Sequence, residues 1–178
     1  MQKIKFRGYV EHKRKDSPNF MNYEPEFNGS INEIFNGNLQ SPGTKITYMQ
    51  YTGVNDKNGK EIYEGDIIKF SSFQLNSQGK SICHYLLVTF DAEKAAFCAG
   101  SYSWDQVKLR GEVIGNKYEN PELFKKVLDR YQEKINKAEH AILPICDIDT
   151  GDGELNDAII TTWLNISRAS KRLQDLKN

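Results

Sequence analysis

The chain has 178 residues, with 24 basic and 24 acidic side chains and hence no formal net charge. Such a length holds one large domain or two small ones and supports a hydrophobic core without disulfide or metal staples. Residues 1–120 carry 15 basic and 14 acidic groups and the remainder 9 and 10, so neither half has the cationic surplus on which phosphate-driven nucleic-acid binding depends.

Ile4–Val10 reads as a first strand, followed by His12-Lys13-Arg14-Lys15, a basic run flanked by Glu11 and Asp16 and best read as a solvated turn. Residues 16–44 are rich in Pro, Gly and Asn and are expected to form a long irregular excursion. Lys45–Thr52, Glu61–Tyr63, Asp66–Phe70, Ser81–Asp91, Ala95–Tyr102 and Val107–Tyr118 read as further strands, rich in β-branched and aromatic residues and divided by turn signals. Asn58-Gly59 predicts a tight turn with positive φ at both central positions. In Glu64-Gly65-Asp66, Gly65 supplies a sharp bend and the Asp66 carboxylate can accept nearby backbone N–H groups.

After Asn120 the apolar period becomes helical. Asn120-Pro121-Glu122 predicts an N-cap, a proline at the first helical position and an acid in the first turn. Phe124, Val127, Leu128, Tyr131, Ile135, Ala138 and Ile142 form one stripe, which Pro144 is expected to end. Leu155, Ile159, Trp163, Ile166, Leu173 and Leu176 form a second. The expected fold is α+β. It comprises a mainly β domain over residues 1–120, a small antiparallel SH3-like barrel type, and two C-terminal amphipathic helices over 121–178.

Three segments then carry a resemblance. Ile4-Lys5-Phe6-Arg7 comes first; Gln50–Gly53 and Asp56–Ile67 follow, containing Gly53, Asp56, Gly59, Tyr63, Gly65 and Asp66. Glu112–Leu123, with Gly115, Asn120 and Pro121, closes the series. In this order they resemble the YopX family of phage and prophage proteins. The resemblance implies a mainly β fold with an SH3-like component and an accessory role in a temperate phage, and it implies no enzymatic activity or cofactor.

The remaining chemistry is sparse. Cys83, Cys98 and Cys146 are far apart with no CxxC pair, which argues against a disulfide framework or zinc site and for a reducing compartment. The N-terminus lacks an apolar leader and no run approaches 18 apolar residues, so a cytoplasmic protein with no membrane attachment is expected. Cys83 and His84 are neighbours on a strand and point to opposite faces, which forbids a mutual dyad.

Asp147, Asp149, Asp152 and Glu154 suggest a calcium loop, yet from Asp147 the sixth position is Asp152 instead of Gly and the twelfth is Ala158 instead of Glu. Their plainer role is an acidic lead into the last helix, or a docking patch for a basic partner. Tyr102 and Trp104 fall at an expected hairpin tip and are candidate anchors for a partner, or else core. No metal, cofactor or catalytic residue is expected. The leading functional reading is a non-enzymatic protein that binds a host or phage macromolecule, such as a defence or nucleic-acid-processing enzyme. Nucleic-acid binding through Lys57, Lys60, Lys69 and the 12–15 run is the alternative, an enzyme is third, and self-association through the helical stripes is a further expectation.

Overall fold

The computed structural model describes residues 5–13, 17–23, 44–146 and 153–177. They divide into two compact units, residues 1–121 and 122–178. The first unit contains two antiparallel four-stranded sheets. Strands β1 (Phe6–His12), β2 (Phe20–Asn22), β3 (Thr44–Asn55) and β4 (Glu61–Tyr63) run in the order β2-β1-β3-β4. Strands β5 (Asp66–Leu75), β6 (Ser81–Asp91), β7 (Ala96–Ala99) and β8 (Gly111–Asn116) run in the order β7-β6-β5-β8. Among the described residues the architecture is mainly β, with a curled half-barrel sheet and three helices, and α+β overall.

Period-2 alternation builds the core. Ile68 and Phe70 on β5, Leu86 and Val88 on β6, Ala99 on β7 and Val113 on β8 meet Val54 and Ile62 from the first sheet. Each is at most 9% exposed, and full burial of a Val, Leu, Ile or Phe side chain contributes about 1.5–3 kcal/mol. A second, smaller cluster of Met21, Met49 and Tyr63 lies in the first sheet.

Two turns share one chemistry. In Asp56–Lys60 the Asp56 Oδ1 accepts the N–H groups of Asn58 (2.8 Å) and Lys60 (2.9 Å), while Gly59 N–H donates to Asp56 O (3.0 Å). Asn76–Lys80 repeats the pattern, with Asn76 Oδ1 accepting from Gln78 (3.0 Å) and Lys80 (2.9 Å). The left-handed position is taken by Gly59 (φ 85°) and Gly79 (φ 72°) respectively. Asn58 does not share that conformation, so the expected pair of positive φ values reduces to one. The longer loop places a single left-handed residue after a right-handed turn.

Three other expectations change. The strand expected over Ala95–Tyr102 ends at Ala99, and Val107–Arg110 belongs to helix α1 (Trp104–Arg110), not to a strand. Ser103 and Gln106 form a capping box: Ser103 Oγ accepts the Gln106 N–H, and Gln106 Oε1 accepts the Ser103 N–H. Those two reciprocal bonds override the β propensity of Trp104 and Val107. Within the expected 16–44 excursion, residues 20–22 form β2, and residues 24–43 lie outside the described residues.

The second unit is made of the C-terminal helices α2 (Pro121–Cys146) and α3 (Gly153–Lys177). Pro144 does not end α2, which runs on to Cys146. Val127 and Leu128 of α2 and Leu173 of α3 are buried, and Lys177 Nζ donates to Gln132 Oε1 at 2.8 Å.

Candidate functional site

Three charged residues of the sequence motifs, Arg7, Asp56 and Asp66, are buried and do structural work. Asp56 is 5% exposed, and its second oxygen, Oδ2, accepts the Val113 N–H at 2.9 Å. Lys57 N–H also donates to Gly111 O at 3.0 Å, so one carboxylate shapes its own turn and ties it to β8, 57 residues on.

Arg7 and Asp66 form a buried ion pair, Nη2 to Oδ1 at 2.6 Å, with side-chain exposures of 2% and 0%. Asp66 Oδ2 accepts the Tyr63 N–H at 2.8 Å, as the turn chemistry of Glu64-Gly65-Asp66 requires. The guanidinium also stacks over the Tyr63 ring at 4.7 Å, and Nη2 approaches Met49 Sδ at 3.7 Å. Burial pushes the Asp66 carboxyl up from its ordinary value, and the Arg7 charge opposes that shift. The pair joins β1 of one sheet to β5 of the other.

Gly65 (φ 79°) donates its N–H to Val88 O and accepts the Lys117 N–H, both at 2.9 Å. Beyond it, Asn116 Oδ1 accepts from Tyr118 (3.0 Å) and Glu119 (2.9 Å), and Asn120 Oδ1 accepts the Asn116 N–H (3.0 Å). The Asn120 side chain thus closes this loop, and Pro121 opens α2. Gly53 (φ 85°) sits where β3 shifts register against β4. Gly115 pairs with Ile67 at a similar shift between β5 and β8, and Phe6 pairs with Gln50.

Over this buried frame lies a tyrosine face. Period 2 on β1 places Arg7 and Tyr9 on the same side; Met49 stands opposite Arg7, Met21 opposite Tyr9, and Tyr51 opposite Tyr63. Half-buried Tyr9, Tyr51 and Tyr118 cover the Met21–Met49–Tyr63 cluster. Tyr9 and Tyr118 stack at 5.0 Å between ring centres, and Tyr51 and Tyr63 tilt together at 5.5 Å. Two cations rest on these rings, Lys5 Nζ 5.5 Å from Tyr51 and Lys117 Nζ 4.9 Å from Tyr118. Lys5 also pairs with Glu61, which accepts the Tyr63 hydroxyl at 2.7 Å.

Burial first, and Glu61 second, push the Tyr51 and Tyr63 phenols above their ordinary value. The hydrogen bond to Glu61 raises Lys5. Tyr51 and Tyr63 therefore stay neutral and Lys5 stays cationic at physiological pH. Both phenol protons are already donated, Tyr51 to Asn55 Oδ1 at 2.5 Å and Tyr63 to Glu61, so what these groups offer is aromatic surface and the Lys5 charge.

The proposed anchors Tyr102 and Trp104 are not at a hairpin tip but at the start of α1, where both pack against the main core. Tyr102 meets Phe70 at 4.1 Å between ring centres, and Trp104 Nε1 donates to Phe97 O at 3.2 Å. Glu154 is exposed in the first turn of α3, while Asp147, Asp149 and Asp152 lie outside the described residues. Cys83 faces Ser71 Oγ at 3.9 Å, and the His84 ring lies 5.7 Å from Tyr102. Among the described residues no cluster of three His, Cys, Asp or Glu could hold a metal ion, and no helix is long and apolar enough to cross a membrane. Tyr9, Tyr51 and Tyr118 are additions of the structure. The signal for Tyr9 was its period-2 relation to Arg7, but Tyr118 joins it only through the fold.

The two antiparallel sheets and the buried Arg7–Asp66 and Asp56 links define a small α+β protein with a curled half-barrel sheet. Residues 5–125 match the model of the family described as YopX protein, and the chain belongs to that family. Membership suggests a phage-type accessory protein. A solved structure, protein EF1440 from Enterococcus faecalis, is similar at 21% identity; the match covers 69% of this chain and 99% of that one, with a TM-score of 0.41. No curated protein matches the chain.

Proposed function

We propose that this is a non-enzymatic phage accessory protein that acts in the host cytoplasm by binding a host or phage protein through its tyrosine face. The observation that supports this reading is the clustering of half-buried Tyr9, Tyr51 and Tyr118 over a rigid frame, with Lys5 and Lys117 on their rings. Tyrosine supplies large contact area at low entropic cost, and it is enriched where interfaces carry their binding energy. A frame locked by the Arg7–Asp66 pair presents those rings already ordered, which lowers the cost of association. Interference with a host defence or nucleic-acid-processing enzyme is the purpose that fits a phage accessory protein.

The test is capture of a partner from host lysate by the immobilised full chain. Tyr9→Ala with Tyr118→Ala is expected to weaken capture at least about tenfold, while Leu109→Ala, at an exposed site on α1, leaves it unchanged. Equal capture by the tyrosine variant and the parent, with both folded, overturns the reading. A DNA or RNA shift at low salt that fades steeply as salt rises would transfer the face to nucleic acid instead.

A further inference from the structure

Helix α3 carries two apolar stripes. One, formed by Ile159, Ile166 and Leu173, is turned from solvent, with Leu173 at 3% exposure. The other lies one position further round the helix and faces out: Ile160 is 57% exposed, Trp163 42% and Leu164 42%. Spacings of three and four place these three side chains side by side. A surface helix ordinarily puts polar groups there, so a contiguous patch with a tryptophan at its centre marks a contact surface.

The charges flanking the patch indicate what covers it. Glu154 and Asp157 precede it, Arg168 and Lys171 follow it, and all four are exposed. Glu154 and Lys171 stand at equal distances from the point between Thr162 and Trp163, and so do Asp157 and Arg168. That point lies within the Ile160–Leu164 patch. Asp157 and Arg168 are eleven residues apart, close to three turns at 3.6 residues per turn, so they share one flank of the stripe. The helix is therefore self-complementary about its apolar centre. Two copies crossing antiparallel there place each acid beside a base of the other, on the flank where same-side residues of antiparallel helices meet. A parallel arrangement puts that flank of the two copies on opposite sides of the contact, so it gains neither pairing.

We propose that α3 pairs antiparallel with α3 of a second copy of this chain, through Ile160, Trp163 and Leu164, with Asp157 and Arg168 reading the orientation. A two-fold axis between the helices makes this an isologous contact, the commonest kind in homodimers. The surface belongs to the second unit and shares no residue with the tyrosine face of the first.

Sedimentation and light scattering of the full chain test this. The parent is expected to be a dimer that dissociates on dilution, and Trp163→Glu to be monomeric at the same concentrations with unchanged helical circular dichroism. Asp157→Arg and Arg168→Asp are each expected to weaken self-association about tenfold or more. An equimolar mixture of those two variants is expected to recover dimers, because each acid again meets a base; loss in each single reversal together with recovery in the mixture is the pattern of residues 157 and 168 in mutual contact. A parent that stays monomeric, a dimer indifferent to Trp163→Glu, or a mixture that recovers nothing overturns the proposal. Partner capture by a folded monomeric variant separates this contact from the tyrosine face.

Discussion

Asp56→Asn is a sharp probe of the frame, because the molecule contains its own control. The asparagine carbonyl can still accept from Asn58 and Lys60, as Asn76 does from Gln78 and Lys80 in the twin turn. What it cannot keep is the bond from the Val113 N–H to Oδ2, since an amide NH2 then faces that donor. The loss comprises one charge-assisted bond, about 1.5–3 kcal/mol, and a buried donor left without an acceptor, so the expected cost is about 2–4 kcal/mol. In a domain of this size that lowers Tm by roughly 6–15 °C. Asn76→Asp in the exposed twin turn is expected to stay within about 0.5 kcal/mol of the parent. Urea unfolding followed by circular dichroism gives both values, and hydrogen exchange at the Val113 amide should accelerate only in Asp56→Asn. Equal stability of Asp56→Asn and parent, or an equal loss in Asn76→Asp, would refute the assignment of the long-range bond as the stabilising part.

Asp66→Asn leaves the Arg7 charge buried without its counter-ion and is expected to cost about 3–5 kcal/mol in the same assay; the double change Arg7→Met with Asp66→Leu should cost less than Asp66→Asn alone. Ala95 holds φ at 49° in the turn between β6 and β7, so Ala95→Gly is expected to stabilise by about 0.5–1 kcal/mol, measured as a rise in urea midpoint without a change in slope. Glu112 is held below its ordinary value of 4.5 by its hydrogen bond and ion pair with Lys57 at 2.8 Å. A depressed folded-state value means that this contribution is present above 4.5 and fades as pH falls through the lower folded value, so the parent and Glu112→Gln should converge in acid.

The strands were largely legible because their apolar period is 2 and their turns carry Gly, Asn and Asp. Glu61–Tyr63 and Ser81–Asp91 appear with their expected bounds, whereas α1 was hidden. Its seven residues include β-favouring Trp104 and Val107, and only the Ser103-x-x-Gln106 spacing marks a helix start. Strand β2 was missed because three residues beside Pro18 and Asn19 give no period to read. The tyrosine face was illegible for a different reason. Tyr9, Tyr51 and Tyr118 are separated by 42 and 67 residues, and nothing in local spacing unites them until β1, β3 and the 116–120 loop are brought together.

The long-range links also change what the family motifs mean. Read along the chain, the Gly-Asp and Asn-Gly pairs are turn chemistry, sufficient for kinship and fold. In three dimensions the motif residues have partners in other motifs: Arg7 of the first grips Asp66 of the second, and Asp56 of the second holds Val113 of the third. Buried polar groups of this kind are costly unless each is satisfied, so a change at one demands a matched change at another, and the segments are constrained as a set. Of the rings laid over that set, Tyr51 and Tyr118 lie within the second and third segments, whereas Tyr9 lies outside all three. Tyr9, Tyr51 and Tyr118 pack on the frame without closing any of its buried ion pairs, and α3 lies beyond residue 125, where the family match ends. Specialisation for a partner can therefore proceed at Tyr9 and on α3 while the frame beneath stays fixed.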